Sequence, residues 1–194
     1  MVLLTLGTGI GGGLIINGDL YRGSTGAGAE LGHVVLVDDG PECAAGCPNH
    51  GCVECYVSGT ALAREGIAAA EAAPDSELGK LRHDGAVIDG RTVTKLARAG
   101  DEAALTIFDT MGRHLGAALS GLANTFDPDV IVLGGGVMDA GELLLEPARD
   151  ELRKRALPPQ NEVAVMAAEL GPEAGMIGAA TLALEELEGS RAVV

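Results

Sequence analysis

The chain has 194 residues, with 28 Asp and Glu against 13 Lys and Arg, a formal net charge of -15 and 30 glycines. A 47% hydrophobic content at this length excludes a disordered chain, and with two Tyr, two Phe and no Trp the core has to be built from Ala, Val, Leu and Ile. So acidic a chain, its few basic residues scattered, repels nucleic-acid backbones and anionic lipid, so any anionic ligand must be held by something other than an excess of Lys and Arg.

No apolar run approaches the ~20 residues of a membrane span. The opening Met1–Leu6 is too short and lacks the basic start of a signal peptide, so the expectation is a soluble cytoplasmic protein. Val2–Leu6 is β-rich and meets Gly7-Thr8-Gly9-Ile10-Gly11-Gly12-Gly13 at once, and Leu14–Ile16 resumes the pattern: a hairpin about a glycine turn. Gly23–Gly28 is a second flexible loop, His33–Val37 is expected as a third strand, and residues 38–56 form a long loop holding every cysteine.

Ser58 caps an expected helix through Ala70, Pro74–Gly90 reads as a polar connection, and Thr92 as the cap of a short helix to Ala99. From Asp101 the residues Leu105, Phe108, Met111, Leu115, Leu119 and Leu122 recur every three or four positions, which marks a long amphipathic helix to about Asn124. Asp127-Pro128-Asp129 breaks it. Val130–Leu133 reads as a strand buried on both faces, running into Gly134-Gly135-Gly136 and a helix to about Arg155. Glu162–Ala167 is a further strand and Ala174–Leu187 a last helix. The order gives a mixed sheet covered by helices, whose ligands sit in glycine-lined crevices at strand ends.

Glycine lets backbone N–H groups converge on an anion without obstruction from a Cβ. The Gly7–Gly13 segment can do this, with the Thr8 hydroxyl as an added donor, or it can be simply a tight turn. Gly134–Gly136, between a strand and a helix, serves either a phosphate or adenosine, or close strand–helix packing. Cys43, Cys47, Cys52 and Cys55 fall within thirteen residues punctuated by Gly46, Pro48 and Gly51, the pattern of a structural zinc site. His33 and His50 are near enough in sequence for either to replace a thiol. His83 and His114 read as packing or surface residues, and Arg149, Arg153, Lys154 and Arg155 as complements to a helix C-terminus.

Five blocks in order resemble one family: Leu6–Gly13; Gly28-Ala29-Glu30-Leu31-Gly32-His33; the cysteine loop ending Gly51-Cys52-Val53-Glu54; Ser58-Gly59-Thr60-Ala61-Leu62; and Asp127–Gly136. They resemble the ROK family of sugar kinases and repressors, especially its bacterial glucokinases. The resemblance implies an α/β fold, the C-terminal lobe of an actin-like, hexokinase-like (ribonuclease H-like) ATPase spanning residues 1–194, with a zinc loop at about 38–56. It implies a phosphate-binding turn at Gly7, Thr8, Gly9 and Gly11 and an adenosine side at Gly134, Gly135 and Gly136. Glu30, His33 and Glu54 match the residues that hold sugar hydroxyls, and His33, Cys43, Cys47 and Cys52 match the zinc ligands, with Cys55 in place of His33 as the competing set.

The chemistry agrees: carboxylates accept hydrogen bonds from vicinal hydroxyls, and an imidazole can bind zinc through one nitrogen while the other addresses the sugar. The spacing departs from the family pattern, being wider from Cys43 to Cys47, with Pro48 where Gly is common. The family's acidic glycine phosphate motif and the Asn-Asp element with the catalytic base do not occur in these residues, so the N-terminal lobe is absent and the base lies outside. The activity that the resemblance implies is that of an ATP- and Mg²⁺-dependent hexose kinase, glucose to glucose 6-phosphate, with the lobe weak or inactive alone and the full-length form a dimer. The sugar-sensing part of a ROK repressor is the alternative.

Overall fold

The computed structural model describes residues 1–43 and 46–191; Ala44 and Ala45 of the cysteine loop and residues 192–194 lie outside the described residues. Five strands, β1 (Val2–Leu6), β2 (Ile10–Ile16), β3 (Asp19–Leu20), β4 (Val130–Gly134) and β5 (Ala164–Ala167), form one sheet in the order β3-β2-β1-β4-β5. β2 runs antiparallel to β1 and β3, whereas β4 runs parallel to both β1 and β5. Among the described residues six α-helices accompany them: α1 (Gly59–Ala72), α2 (Glu77–His83), α3 (Gly90–Arg98), α4 (Glu102–Phe126), α5 (Glu142–Arg155) and α6 (Ala174–Arg191).

The apolar stripe read along α4 is its buried face: Phe108, Met111, Leu115, Leu119 and Leu122 join Leu4, Leu6, Ile131, Leu133, Leu144 and Leu152 in a single core. α4 lies close on α5 because Gly112 and Gly116 keep the contact thin. A Cβ at Gly116 would stand 2.4 Å from the Ala148 carbonyl oxygen, and one at Gly112 equally close to the Pro147 ring. Each helix from α1 to α4 starts on a side-chain cap, with Ser58, Ser76, Asp89 and Asp101 accepting from the backbone N–H three residues on.

Several expectations need correction. The hairpin turn is only Gly7-Thr8-Gly9; Gly11–Gly13 belong to β2, paired with Thr5, Leu4 and Leu3. His33–Val37 is not a strand: Leu31–His33 is a 3-10 turn and Val35 makes a single bridge, to Cys52. The segment spends its backbone groups on the cysteine loop instead, Leu36 N–H donating to Gly51 O (2.8 Å) and Val53 N–H to Val34 O (2.9 Å). β4 alternates, with Ile131 and Leu133 buried and Val130 and Val132 only half-buried, because the described helices cover the opposite face of the sheet from Leu3, Val132 and Met166. The connection at 74–90 contains α2, anchored by the buried Leu78, and α3 is capped by Asp89 rather than Thr92.

Candidate functional site

Parallel pairing of β1 with β4 puts the carboxyl ends of both strands on one edge, and the two glycine segments leave from there side by side. Gly135 shows why that approach excludes other residues. Its φ of 90° and ψ of 170° fall in a region open only to glycine, and a Cβ would lie 2.5 Å from the Leu6 carbonyl oxygen. The chain then turns through a 3-10 segment, Gly136–Ala140, before α5 begins. The glycine triplet therefore feeds a short turn rather than α5 directly.

The Gly7–Gly9 turn is held from behind by the start of α1. Gly59 N–H donates to Gly7 O (2.7 Å) and the Thr60 hydroxyl to Thr8 O (2.8 Å), which leaves the exposed Thr8 facing a cleft of about 890 Å³. That cleft runs between Gly7 and Thr8 on one wall, Gly136, Val137 and Asp139 on another, and α3 opposite, where it meets Asp89, Arg91, Lys95 and Arg98. Gly11, read as part of the turn, lies beyond it in β2, where a Cβ would press on the Thr5 hydroxyl at 2.6 Å. Gly134 ends β4, opposite Thr5.

Glu54 sits at the far end of the same turn. Its carboxylate accepts the Ile10 N–H at 2.7 Å, and a Cβ at Gly9 would overlap it, so the turn and the carboxylate fit one another only through a glycine. The 3-10 turn Val53–Cys55 carries Glu54, and the 3-10 turn Leu31–His33 carries His33, with Glu30 as its first cap, accepting His33 N–H at 3.1 Å. Cys52 joins the two turns, its thiol donating to His33 O at 3.5 Å. Glu30, His33 and Glu54, twenty-four positions apart at the extremes, are thereby carried on two linked turns beside the glycine turn.

His33, Cys43, Cys47 and Cys52 bring one nitrogen and three sulfur atoms within 4.8 Å of one another. The Cys43 Sγ–His33 Nδ1 distance is 3.5 Å and the Cys47 Sγ–Cys52 Sγ distance 3.9 Å. Tetrahedral Zn–S bonds of about 2.3 Å demand ligand edges of about 3.8 Å, so these spacings fit zinc, while all four cysteines are free thiols. Burial pushes the Cys43 and Cys52 thiols up, and the Asn49 backbone N–H draws Cys47 down. A dication supplies the charge that would hold the set as thiolates.

Cys55 stands outside this group, its buried thiol turned to the carbonyls of Pro41 (3.6 Å) and Glu42 (3.8 Å). His50 bridges to Glu42 and is likewise outside it. Gly51, at φ 64°, closes the loop against Val37 O so tightly that no Cβ fits.

The reading of the basic residues as scattered missed α3. Arg91, Lys95 and Arg98 are spaced i, i+4 and i+7, so one helix face carries them all into the cleft, and helical spacing applied to Lys and Arg rather than to apolar residues is the signal that finds them. Asp127, by contrast, is structural: it ends α4 at φ 43° and accepts from the Gln160 amide at 3.1 Å.

The ROK family sequence profile matches residues 1–186. A glucokinase of Streptomyces coelicolor is 43% identical over 193 residues, 95% of this chain and 59% of that protein. A xylose repressor of Bacillus spizizenii is 30% identical over 186 residues, 95% of this chain and 44% of the repressor. The crystal structure of a ROK family glucokinase from Streptomyces griseus in complex with glucose and AMPPNP superposes with a TM-score of 0.83 at 43% identity, covering 93% of this chain and 59% of that one. The chain thus spans about three fifths of the glucokinases it matches, and with the family profile matching residues 1–186 it belongs to the ROK family.

Proposed function

We propose that residues 1–194 form the C-terminal lobe of an ATP-dependent hexose kinase that converts glucose to glucose 6-phosphate, with the catalytic base supplied from outside these residues. The observation that carries this reading is the Ile10–Glu54 hydrogen bond, which locks a carboxylate suited to sugar hydroxyls to the turn suited to phosphate. Phosphoryl transfer is chiefly positioning and charge stabilisation, and a turn that shares a backbone amide with the sugar-side acid fixes the distance between the two substrates.

In this reading Glu30, His33 and Glu54 hold the hexose, Gly7, Thr8, Gly9 and Gly11 form or support the phosphate turn, and Gly134, Gly135 and Gly136 border the adenosine. Mg²⁺ bound with ATP would neutralise the transferred phosphoryl group. His33, Cys43, Cys47 and Cys52 hold a structural zinc, leaving the second imidazole nitrogen for a sugar hydroxyl. The full-length form is proposed to be a cytoplasmic homodimer. Among the described residues no helix is long and apolar enough to cross a membrane.

A coupled assay for ADP tests the lobe assignment: the 194-residue chain should turn over glucose weakly or not at all while binding ATP by calorimetry, and robust turnover would overturn it. Native mass spectrometry should find one zinc per chain, retained in Cys55→Ala and lost in Cys43→Ala. The similarity to a xylose repressor supports a second reading, a sugar-sensing part of a regulator. Hexose binding without ATP binding would favour that reading over the kinase.

A further inference from the structure

Most cations among the described residues of this acidic chain are neutralised where they stand. Among the described residues, eight basic side chains lie within 3.8 Å of a carboxylate oxygen, as Arg64 does with Glu65, Arg113 with Asp109 and Arg149 with Glu142. Arg22 is also engaged. Among the described residues, Arg91, Lys95 and Arg98 have no carboxylate at that range, and all three lie on α3, facing the cleft that contains Gly7, Thr8 and Gly136.

Helix stability does not account for the placement of Arg91. Arg91 stands in the first turn of α3, where the helix dipole disfavours a cation, and Arg91 and Lys95 are a like-charged i, i+4 pair. Lys95 and Arg98, in the last turn, suit the dipole, and the Arg98 guanidinium donates to the Asp139 carbonyl oxygen, tying α3 to the turn that comes after the glycine triplet. The cleft has two acids of its own. Asp89 is occupied through one oxygen by the Thr92 N–H (2.8 Å) and hydroxyl (2.9 Å), and Asp139 stands across from α3.

We infer that Arg91 and Lys95 are the phosphate-binding cations of the nucleotide cleft, contacting the polyphosphate chain of ATP from the wall opposite the Gly7–Gly9 turn, with Arg98 bracing that wall. The inference rests on the proposed nucleotide reading and adds to it. Backbone amides at the turn bind phosphate without net charge, so in a chain at -15 the attraction for a ligand carrying several negative charges falls to these side chains. The four-residue step from Arg91 to Lys95 is about 6 Å along the helix, comparable to the span of a triphosphate.

The test is calorimetry on the 194-residue chain with Mg-ATP and, separately, adenosine, for the native sequence, the double variant Arg91→Met/Lys95→Met, and the charge-matched control Arg153→Met/Lys154→Met on α5. The double variant should bind ATP about tenfold or more weakly, with a shallower dependence on salt, and bind adenosine as before. Arg153→Met/Lys154→Met should bind both as the native chain does. An unchanged ATP affinity in the double variant overturns the inference while leaving the nucleotide reading intact, and so does an equal loss of ATP and adenosine with an altered circular dichroism spectrum. A native chain that binds neither ligand overturns the nucleotide reading itself, and this inference with it.

Discussion

His114 projects from α4 onto the Tyr56 ring, the two stacked at 4.5 Å between centroids and 18° between planes. Burial holds its pKa below the ordinary histidine value of about 6.5, with the Arg113 charge adding to the effect, Glu65 opposing it and Arg155 reinforcing it. A depressed histidine pKa means that the folded state carries the neutral ring while the unfolded chain takes up a proton first. Stability is therefore at its full value above about pH 6.5 and falls as the pH drops through that value toward the depressed one. His114→Phe keeps a ring on Tyr56 but cannot titrate. Urea midpoints measured from pH 8 to pH 5 should decline more steeply for the native chain than for this variant; parallel curves would refute the argument. Gly135 supports a second residue-scale expectation. With φ at 90° and Leu6 backbone atoms 2.5–2.7 Å from any Cβ, Gly135→Ala should cost about 2 kcal/mol or more by urea unfolding and abolish ATP binding, since the displaced segment walls the cleft.

The α4–α5 contact is where an element, rather than a residue, decides stability. Glycine inside a helix costs about 1 kcal/mol against alanine, so Gly→Ala along α4 should stabilise wherever there is room. At Gly121 a new Cβ meets nothing within 4 Å, and Gly121→Ala should raise stability by about 0.5–1 kcal/mol. At Gly116 the obstruction is the Ala148 backbone carbonyl, which cannot turn aside, and overpacking of about 1–3 kcal/mol outweighs the helical gain, so Gly116→Ala should destabilise. Opposite signs by chemical denaturation are the expected result. The same helix shows what the sequence makes readable: its stripe from Leu105 to Leu122 is a local period, visible without knowing what it packs against. Val34–Val37 shows the limit. Its β-rich composition expects a ladder, but the partner on offer is a loop, and tertiary hydrogen bonds to Gly51 and Val53 overrode the propensity. At the site, residue identities were legible because turn glycines and clustered cysteines are chemically distinctive. The basic face of α3 and the Ile10–Glu54 bond were not, since one required reading charge at helical spacing and the other joins residues 44 positions apart.

Among the described residues the cysteine loop is the link that runs from the metal-type cluster to both proposed substrate sides. His33 belongs to the candidate cluster and to the proposed sugar site, Cys52 Sγ lies 3.5 Å from His33 O and Cys52 stands two positions before Glu54, and Glu54 accepts the Ile10 N–H at the end of the proposed phosphate turn. The proposed nucleotide cleft, however, has a second and independent support: Gly59 and Thr60 of α1 hold Gly7 and Thr8 without involving the loop. Loss of zinc should consequently have unequal effects. Without the proposed dication, the four donor atoms crowded within 4.8 Å are joined only by weak sulfur contacts, and the two 3-10 turns that carry Glu30, His33 and Glu54 are left with the backbone bonds of the loop as their common anchor. Because α1, β1 and β4 are packed in the core, the Gly7–Gly9 turn and Gly135 stay in place. Calorimetry on chelator-treated protein should then show hexose affinity reduced by at least about tenfold, the scale on which metal-site disruption acts, with ATP affinity changed by only a few fold, and readdition of zinc should restore the hexose term. Equal loss of both ligands would mean that the loop supports the entire cleft, and retention of hexose binding would remove zinc from the sugar site altogether.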